Sequence, residues 1–273
     1  MKLNDSSNVI LFDNVPISRA EQISFNVPHT MKYAVRNIVS IDGKYYYVKA
    51  CTPKILLNEL IGSYFSSLIG LDAVEYKIGI DTYNTGYLYA LSEVFYQDEC
   101  SYHTVDGYYG MRPDDSSVYS KGIDRHYICD TSILDYIGSK KLSDAVIKMS
   151  TVDIKMGQVD RYDYNVILRE LNGIIELEKV YDFGASYQDD AGYSLYNCYY
   201  NPFLLVKRNT ISLWGLAHKY PQISESAAIL CSTPLYDVIK DIESQFNIKI
   251  EDEDIKDSLE LDKKFSKTLR KVR

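Results

Sequence analysis

The first third of the chain alternates apolar and polar residues in short runs, a pattern typical of β-strands. In Met31–Ala50 two such runs flank Asp42-Gly43, a dipeptide that favours a two-residue hairpin turn. Leu56–Leu71 instead carries apolar residues at helical spacing. Further strands are predicted at Val74–Ile80 and Tyr87–Val94, with one or two edge strands within residues 1–30. After those edge strands the predicted order is β-β-α-β-β.

The rest of the chain is predicted to be mainly helical. Thr131–Met149 places apolar residues on one helix face, and a second helix is predicted at Ser150–Met156. Residues 98–128 are polar and rich in turn formers, which indicates a long insertion or loop. Later helices are predicted at Ser224–Cys231, Pro234–Phe246 and Asp252–Arg273. The change of pattern places a boundary near residue 96, so we expect an α+β chain with parts 1–95 and 96–273.

A loop, a hairpin and a second loop are predicted at Met156–Ser186. The first loop reads Asp160-Arg161-Tyr162-Asp163-Tyr164-Asn165, and the second reads Asp182-Phe183-Gly184. Two apolar runs around a polar turn predict a β-hairpin between them. A hairpin brings its two ends together, so Asp160, Asn165 and Asp182 are expected to converge. Their oxygen atoms suit Mg²⁺, and the set suits phosphoryl transfer.

This arrangement resembles the catalytic and metal-binding loops of the protein-kinase-like superfamily. The similarity is greatest to the branch written D-R-H-x-x-N, which includes bacterial HipA-type kinases and phosphoinositide lipid kinases. Tyr162 stands where that branch usually has His, a change that removes no metal ligand. The resemblance implies a two-lobed protein-kinase-like fold, with a small antiparallel β lobe containing one helix and a larger, mainly helical lobe. The alternative interpretation is a surface hairpin with ordinary loop residues.

The resemblance also implies a role for each of five side chains, with ATP and Mg²⁺ as ligands. Asp160 would orient the attacking hydroxyl or accept its proton. Asn165 and Asp182 would hold Mg²⁺. Lys49, at the end of the second hairpin strand, would contact the nucleotide phosphates, and Glu59 on the following helix would pair with it.

Other parts of the implied nucleotide site are less sharply defined by the sequence. Lys44 and Lys54 are alternatives to Lys49 as the phosphate-binding lysine. The resemblance places the adenine-binding hinge at Glu93, Val94 and Phe95, through backbone groups. A Gly-rich phosphate loop is missing, because no Gly occurs before Gly43. The corresponding loop is expected at Ser24–Thr30, with His29 as an additional donor. Candidate regulatory phosphosites after D-F-G are Ser186, Tyr187, Ser194 and Tyr196.

Composition limits the classes of function. The net charge of −8 over 273 residues argues against general nucleic-acid binding. The cysteines are scattered without metal-ligand spacing, which favours a reduced protein without structural zinc. We see no signal peptide and no apolar run long enough for a membrane span. The expected location is therefore cytoplasmic, or a host cell that the protein reaches without a signal peptide.

The sequence thus predicts an ATP- and Mg²⁺-dependent HipA-like serine/threonine protein kinase, autophosphorylating or acting on a protein substrate. Resemblance to the HipA type implies an antitoxin or a host protein as partner. A lipid kinase is the alternative within the same chemistry, supported by the basic tail KKFSKTLRKVR. Two further alternatives are a nucleotide-binding pseudokinase that acts as a scaffold and an enzyme that transfers AMP.

Overall fold

The computed structural model describes residues 1–3, 8–13, 38–84, 86–97, 99–104, 139–158, 161, 165–187 and 221–270. Within these residues the chain forms ten strands and five helices. The strands are β1 Lys2–Leu3, β2 Val9–Phe12, β3 Ile38–Ile41, β4 Lys44–Cys51, β5 Tyr76–Asp81, β6 Leu88–Glu93, β7 Ser101–Thr104, β8 Ile167–Leu171, β9 Ile174–Leu177 and β10 Ile248–Lys249. The helices are α1 Pro53–Leu68, α2 Lys140–Met156, α3 Pro221–Ser232, α4 Leu235–Phe246 and α5 Asp252–Leu269.

A five-stranded sheet in the order β2-β5-β6-β4-β3 forms the first part of the fold. Strands β3 and β4 make the predicted hairpin, and both turn residues, Asp42 (φ 50°) and Gly43 (φ 77°), have the positive φ that this turn requires. Strand β6 pairs antiparallel with both β4 and β5, while β2 lies at one edge, parallel to β5. An edge strand predicted within residues 1–30 is therefore present at Val9–Phe12.

Helix α1 packs against this sheet and begins three residues earlier than the apolar pattern predicts. The Thr52 side chain accepts a hydrogen bond from the Ile55 N–H, and Pro53 occupies the first turn, where its missing donor has no cost. Two polar residues of the helix, Asn58 and Glu59, are almost completely buried. Burial of polar groups requires hydrogen-bonding partners, so this face of α1 points to a polar site rather than to a simple apolar core.

A second, three-stranded sheet in the order β7-β8-β9 carries the hairpin predicted between the two loops. Its turn residues Asn172 (φ 52°) and Gly173 (φ 76°) again have positive φ. Strand β7 falls within residues 98–128, where the sequence predicts only a loop, so that part of the prediction is wrong for Ser101–Thr104. The strand is short and polar, and it exists because it pairs with β8. Residues 105–128 lie outside the described residues.

The helices form the second part of the fold. Helix α2 is continuous, so the predicted division at residues 149 and 150 is wrong. Ser150 and Thr151 donate their hydroxyl groups to the carbonyls of Val146 and Ile147, each at 2.8 Å, which satisfies these polar side chains inside the helix. The start predicted at Thr131 lies outside the described residues. Helices α3, α4 and α5 occur where the sequence predicts them.

A buried polar cluster connects α2 and α5 with the segment that follows D-F-G. Lys155 Nζ lies 2.7 Å from both Asp262 Oδ1 and Ser266 Oγ, and Tyr187 donates its hydroxyl to the same Asp262 oxygen at 3.2 Å. Ser186 and Tyr187 are fully buried, which makes them poor phosphosites. The other two candidates, Ser194 and Tyr196, lie outside the described residues.

No helix in the described part of the chain combines the length and apolar character needed to cross a membrane.

Candidate active site

A cavity of about 420 Å³ lies between the five-stranded sheet and the second loop of the motif. Strand β4 contributes Tyr47 and Lys49 to its wall, and β6 contributes Ala90 and Ser92. The wall is completed by residues from outside these strands, among them Val74, Tyr76, Phe95, Tyr181 and Asp182. Apolar groups dominate, with one lysine and one carboxylate at the side of the second loop. This is the usual composition of a small-molecule site.

Three charged side chains from distant parts of the sequence meet at this cavity. Lys49 Nζ lies 2.6 Å from Glu59 Oε1 and 2.5 Å from Asp182 Oδ1. Burial lowers the pKa of Lys49, but the two carboxylates outweigh burial and the pKa is raised above its ordinary value. Lys49 therefore remains a cation at neutral pH, beside an apolar wall that suits an organic ligand.

The structure distinguishes Lys49 from its alternatives by position. Lys44 Nζ lies 3.0 Å from Glu93 Oε1 in an exposed pair between β4 and β6. Lys54 lies in the first turn of α1 and does not belong to the cavity wall formed by the described residues. Of the three predicted lysines, Lys49 is the one that meets the two acidic side chains.

Glu59 connects helix α1 to the backbone of the second loop. Its Oε2 accepts the N–H of Phe183 at 2.8 Å, and its Oε1 accepts the N–H of Gly184 at 3.1 Å as well as Lys49. The neighbouring Asn58 donates to the carbonyls of Gly184 and Ser186. These contacts explain why two polar residues of α1 are buried. They also fix the loop to the same carboxylate that holds Lys49.

Asp182 has an unusual backbone conformation, with φ 61°. Its N–H donates to the Tyr76 hydroxyl at 3.3 Å, and its carbonyl accepts a hydrogen bond from the Gln158 side-chain amide. Its carboxylate contacts Lys49 and lines the cavity. Neither Tyr76 nor Gln158 is predicted from the sequence, because neither belongs to the motif.

Arg161 connects the two loops of the motif through their backbone carbonyls. It is 1% exposed, and its guanidinium contacts the Asp153 carboxylate through Nε at 3.1 Å and Nη2 at 2.9 Å. Its Nη1 donates to the carbonyls of Asn165 at 3.3 Å and Tyr181 at 2.5 Å. Sequence reasoning assigned no role to this arginine. The available signal was Asp153, an acidic residue within the apolar pattern of α2.

Phe183 points away from the cavity and is fully buried. Its ring packs on Gly62 of α1, and the Arg161 guanidinium carbon lies 4.9 Å from the ring centroid on another side. A Cβ atom on residue 62 would lie 2.1 Å from Phe183 Cγ, so only glycine permits this contact. The position of Phe183 therefore depends on a close helix–loop approach one residue from Asp182.

We expect Gly62→Ala to lower both stability and turnover. Alanine gains about 1 kcal/mol in helix propensity over glycine, but overpacking of this kind costs about 1–3 kcal/mol. The displaced Phe183 would also move the adjoining Asp182. Denaturant unfolding and nucleotide turnover measure the two effects. Gly86→Ala is the control, because its added Cβ has no neighbour closer than 3.9 Å. Equal stability and turnover of Gly62→Ala and Gly86→Ala would contradict the packing argument.

The remaining predicted site residues have different outcomes. Asn165 is 6% exposed, and its backbone is bound by Arg161. Asp160 and the predicted phosphate loop Ser24–Thr30, with His29, lie outside the described residues.

Among the hinge candidates, Phe95 lines the cavity, whereas the Glu93 side chain pairs with Lys44. The N–H of Val94 donates to the Tyr45 carbonyl at 2.9 Å, so that donor is used within the protein.

An aromatic cluster adjoins the cavity at Phe95, one of the predicted hinge residues. Tyr47 and Phe95 have ring centroids 6.1 Å apart, and Phe95 and Tyr96 have centroids 4.9 Å apart. Burial raises the pKa of Tyr47 and of Tyr181, so both phenols are neutral across the physiological pH range. The cavity wall therefore combines flat, neutral aromatic surfaces with the charged groups of Lys49 and Asp182.

No protein-family model matches this chain, and no curated protein has a significantly similar sequence. Solved structures do match. The proinflammatory kinase CtkA of Helicobacter pylori superposes with a TM-score of 0.52 and 12% identity, over 86% of this chain and 91% of that one. HipA of Shewanella oneidensis MR-1, solved with HipB and operator DNA, gives a TM-score of 0.55 and 11% identity. That match covers 86% of this chain and 62% of the other.

These similarities concern the fold, since the identities are low. The curled β-sheet and the helical region together form an α+β, protein-kinase-like fold, as the motif predicts. The structural similarity to HipA and CtkA also confirms the resemblance drawn from the sequence. The division into lobes at residues 95 and 96 stays a prediction.

Proposed function

We propose that this chain is an ATP- and Mg²⁺-dependent phosphotransferase, and that it acts as a serine/threonine protein kinase of the HipA type. The observation that carries the proposal is the meeting of Lys49, Glu59 and Asp182 at one cavity. These residues come from a strand, a helix and a loop, and the resemblance drawn from the sequence implies a role for each of them. A protein-kinase-like fold is the independent support.

The cavity has the chemistry for a nucleotide. The aromatic and small apolar residues of its wall, among them Tyr47, Phe95 and Ala90, would receive adenine. Lys49 would neutralise phosphate oxygens. Glu59 keeps the Lys49 ammonium group in place and is itself fixed by two backbone N–H groups. Positioning and charge neutralisation of this kind are the main sources of rate in phosphoryl transfer.

The donor atoms of the motif also fit magnesium. Among the described residues no group of three His, Cys, Asp or Glu side chains is suitably placed to hold a metal ion. Mg²⁺ commonly uses only one or two protein carboxylates, together with phosphate oxygens and water. Asp182 and Asn165 would be the protein ligands, and the bound ion would neutralise charge that develops on the phosphates. Asp160 would orient the acceptor hydroxyl and receive its proton.

A protein acceptor is favoured by the similarity to CtkA and HipA. The HipA structure is described as part of a toxin–antitoxin system with HipB, so an antitoxin-like or host protein is the partner we infer. The expected location is the cytoplasm or a host cell. A lipid acceptor is the second candidate, supported by the basic C-terminal tail.

We expect the purified chain to gain mass in steps of one phosphate when incubated with Mg²⁺ and ATP, whereas Asp160→Ala gains none. Asp160 is the proposed base, so its loss should stop transfer while nucleotide binding persists. Intact-mass spectrometry measures the change. A gain of AMP instead would point to AMP transfer.

If the purified chain is not its own acceptor, a second experiment must supply one. Phosphoinositide vesicles and a panel of protein substrates, each with wild type and Asp160→Ala, separate a lipid kinase from a protein kinase. Binding of ATP without transfer in any arm would contradict the proposed enzyme and favour a pseudokinase scaffold.

A further inference from the structure

Asp182 is held in its conformation by two side chains from outside the motif. Most residues with positive φ in the described chain have a local reason for it. Asp42 and Asn172 occupy hairpin turns, and Asn247 ends helix α4. Asp182 belongs to neither kind of structure, although its φ is 61°. A left-handed residue in such a place persists only where its surroundings determine it.

The surroundings are specific. The Asp182 N–H donates to the hydroxyl of Tyr76, the first residue of β5, and the Asp182 carbonyl accepts from Gln158, just beyond the end of α2. Side chains thus bind both backbone polar groups of Asp182. The two side chains come from the sheet and from the helical region, so the loop is bound by both.

This conformation determines the directions of the Asp182 and Phe183 side chains. The Asp182 carboxylate lines the cavity and contacts Lys49. The next side chain, Phe183, is fully buried in the apolar core. A change of φ at residue 182 would redirect the carboxylate away from the cavity or withdraw Phe183 from its place on Gly62. Hydrogen bonds to the Asp182 backbone therefore determine where its carboxylate oxygens lie.

We propose that Tyr76 and Gln158 are positioning residues, which hold Asp182 in its left-handed conformation and so present its carboxylate to the metal ion. The inference rests on the proposed function, because it concerns how the Asp182 carboxylate is positioned to bind magnesium.

The test compares Tyr76→Phe with Tyr46→Phe. Both replacements remove one phenolic hydroxyl from the same sheet. The Tyr46 hydroxyl accepts from Lys77 at 3.1 Å, and Tyr46 lies on the opposite face of β4 from Lys49. Three quantities are measured for each protein: affinity for AMP-PNP in EDTA, Mn²⁺ affinity in the presence of AMP-PNP by electron paramagnetic resonance, and exchange of the Asp182 amide hydrogen by NMR.

For Tyr76→Phe we expect Mn²⁺ affinity to fall about fivefold, the effect of one lost hydrogen bond. The Asp182 amide should exchange faster, and AMP-PNP affinity in EDTA should fall by much less than Mn²⁺ affinity, because Tyr76 lines the cavity but keeps its ring there in the variant. Tyr46→Phe should match wild type in all three. Gln158→Met, which removes the other hydrogen bond, should weaken Mn²⁺ binding in the same way and provides a second variant if Tyr76→Phe does not fold.

Two negative outcomes have different meanings. Wild-type binding of Mn²⁺ and AMP-PNP, with Tyr76→Phe and Gln158→Met both equal to wild type, would overturn the positioning role alone. A wild-type protein that binds neither ligand would overturn the proposed function and this inference with it. A fall in AMP-PNP affinity in EDTA equal to the fall in Mn²⁺ affinity would also overturn the inference, because the hydroxyl would then act on the whole cavity.

Discussion

Replacing Asp182 by asparagine is expected to lower the rate of phosphoryl transfer by about 10³-fold or more. A bound metal ion supplies several kcal/mol of transition-state stabilisation, and each ~1.4 kcal/mol changes the rate tenfold. The carboxylate of Asp182 is the one acidic group in the described cavity wall. An amide of the same shape binds magnesium weakly and leaves Lys49 with Glu59 as its remaining partner. Transfer should therefore be lost while ATP binding is largely kept.

Asparagine isolates the effect of the charge better than alanine does, because the backbone at residue 182 is left-handed. Residue 182 has φ 61°, a region that Asn and Asp tolerate better than other residues with a Cβ atom. Alanine is also expected to abolish transfer, with an additional loss of stability of about 1 kcal/mol from the left-handed conformation. Comparison of the two variants separates the missing charge from the backbone effect.

Steady-state turnover with Mg²⁺ and ATP, together with thermal unfolding, provides the measurement. Asp72→Asn is the control, because Asp72 is exposed and its nearest cation, Lys179, lies 3.9 Å away. Normal turnover by Asp182→Asn would contradict the role of this carboxylate as a metal ligand. Loss of turnover accompanied by unfolding would assign the effect to structure instead.

Local sequence signals predicted the parts of the fold that depend on local interactions. The turn at Asp42-Gly43 and the helix that follows β4 are both present, since turn chemistry and helix periodicity act within a few residues. The resemblance to a family also implied that Lys49 and Asp182 belong to one nucleotide site, and the two side chains are in contact although they lie 133 positions apart. No local pattern connects two such distant positions, so that expectation could come only from the resemblance.

Most of the errors and omissions have a common physical cause, which is dependence on tertiary contacts. Strand β7 is too short and polar to be recognised without its partner β8. Tyr76 and Gln158 gain their role only when the second loop of the motif lies between them. None of these features has a signal within its own stretch of sequence.

The burial of Arg161 leads to a large expected effect on stability. Asp153→Ala is expected to lower the free energy of unfolding by about 3–5 kcal/mol, because it leaves a guanidinium group buried without its counter-ion. Arg161 is 1% exposed, and Asp153 is 5% exposed, so water cannot replace the lost carboxylate. The two loops of the motif share this arginine through the carbonyls of Asn165 and Tyr181. Their spacing should be lost together with stability.

Denaturant unfolding measures the change, with Asp72→Ala as a surface control expected to stay within about 0.5 kcal/mol of wild type. The double variant Asp153→Leu with Arg161→Met removes both charges and is expected to be more stable than Asp153→Ala, since apolar groups of similar size can replace a buried ion pair. It should nevertheless have little turnover, because the side chain at residue 161 then no longer binds the carbonyls of Asn165 and Tyr181. Turnover at the wild-type level in the double variant would show that the ion pair serves stability alone, and that the two loops find their spacing without it.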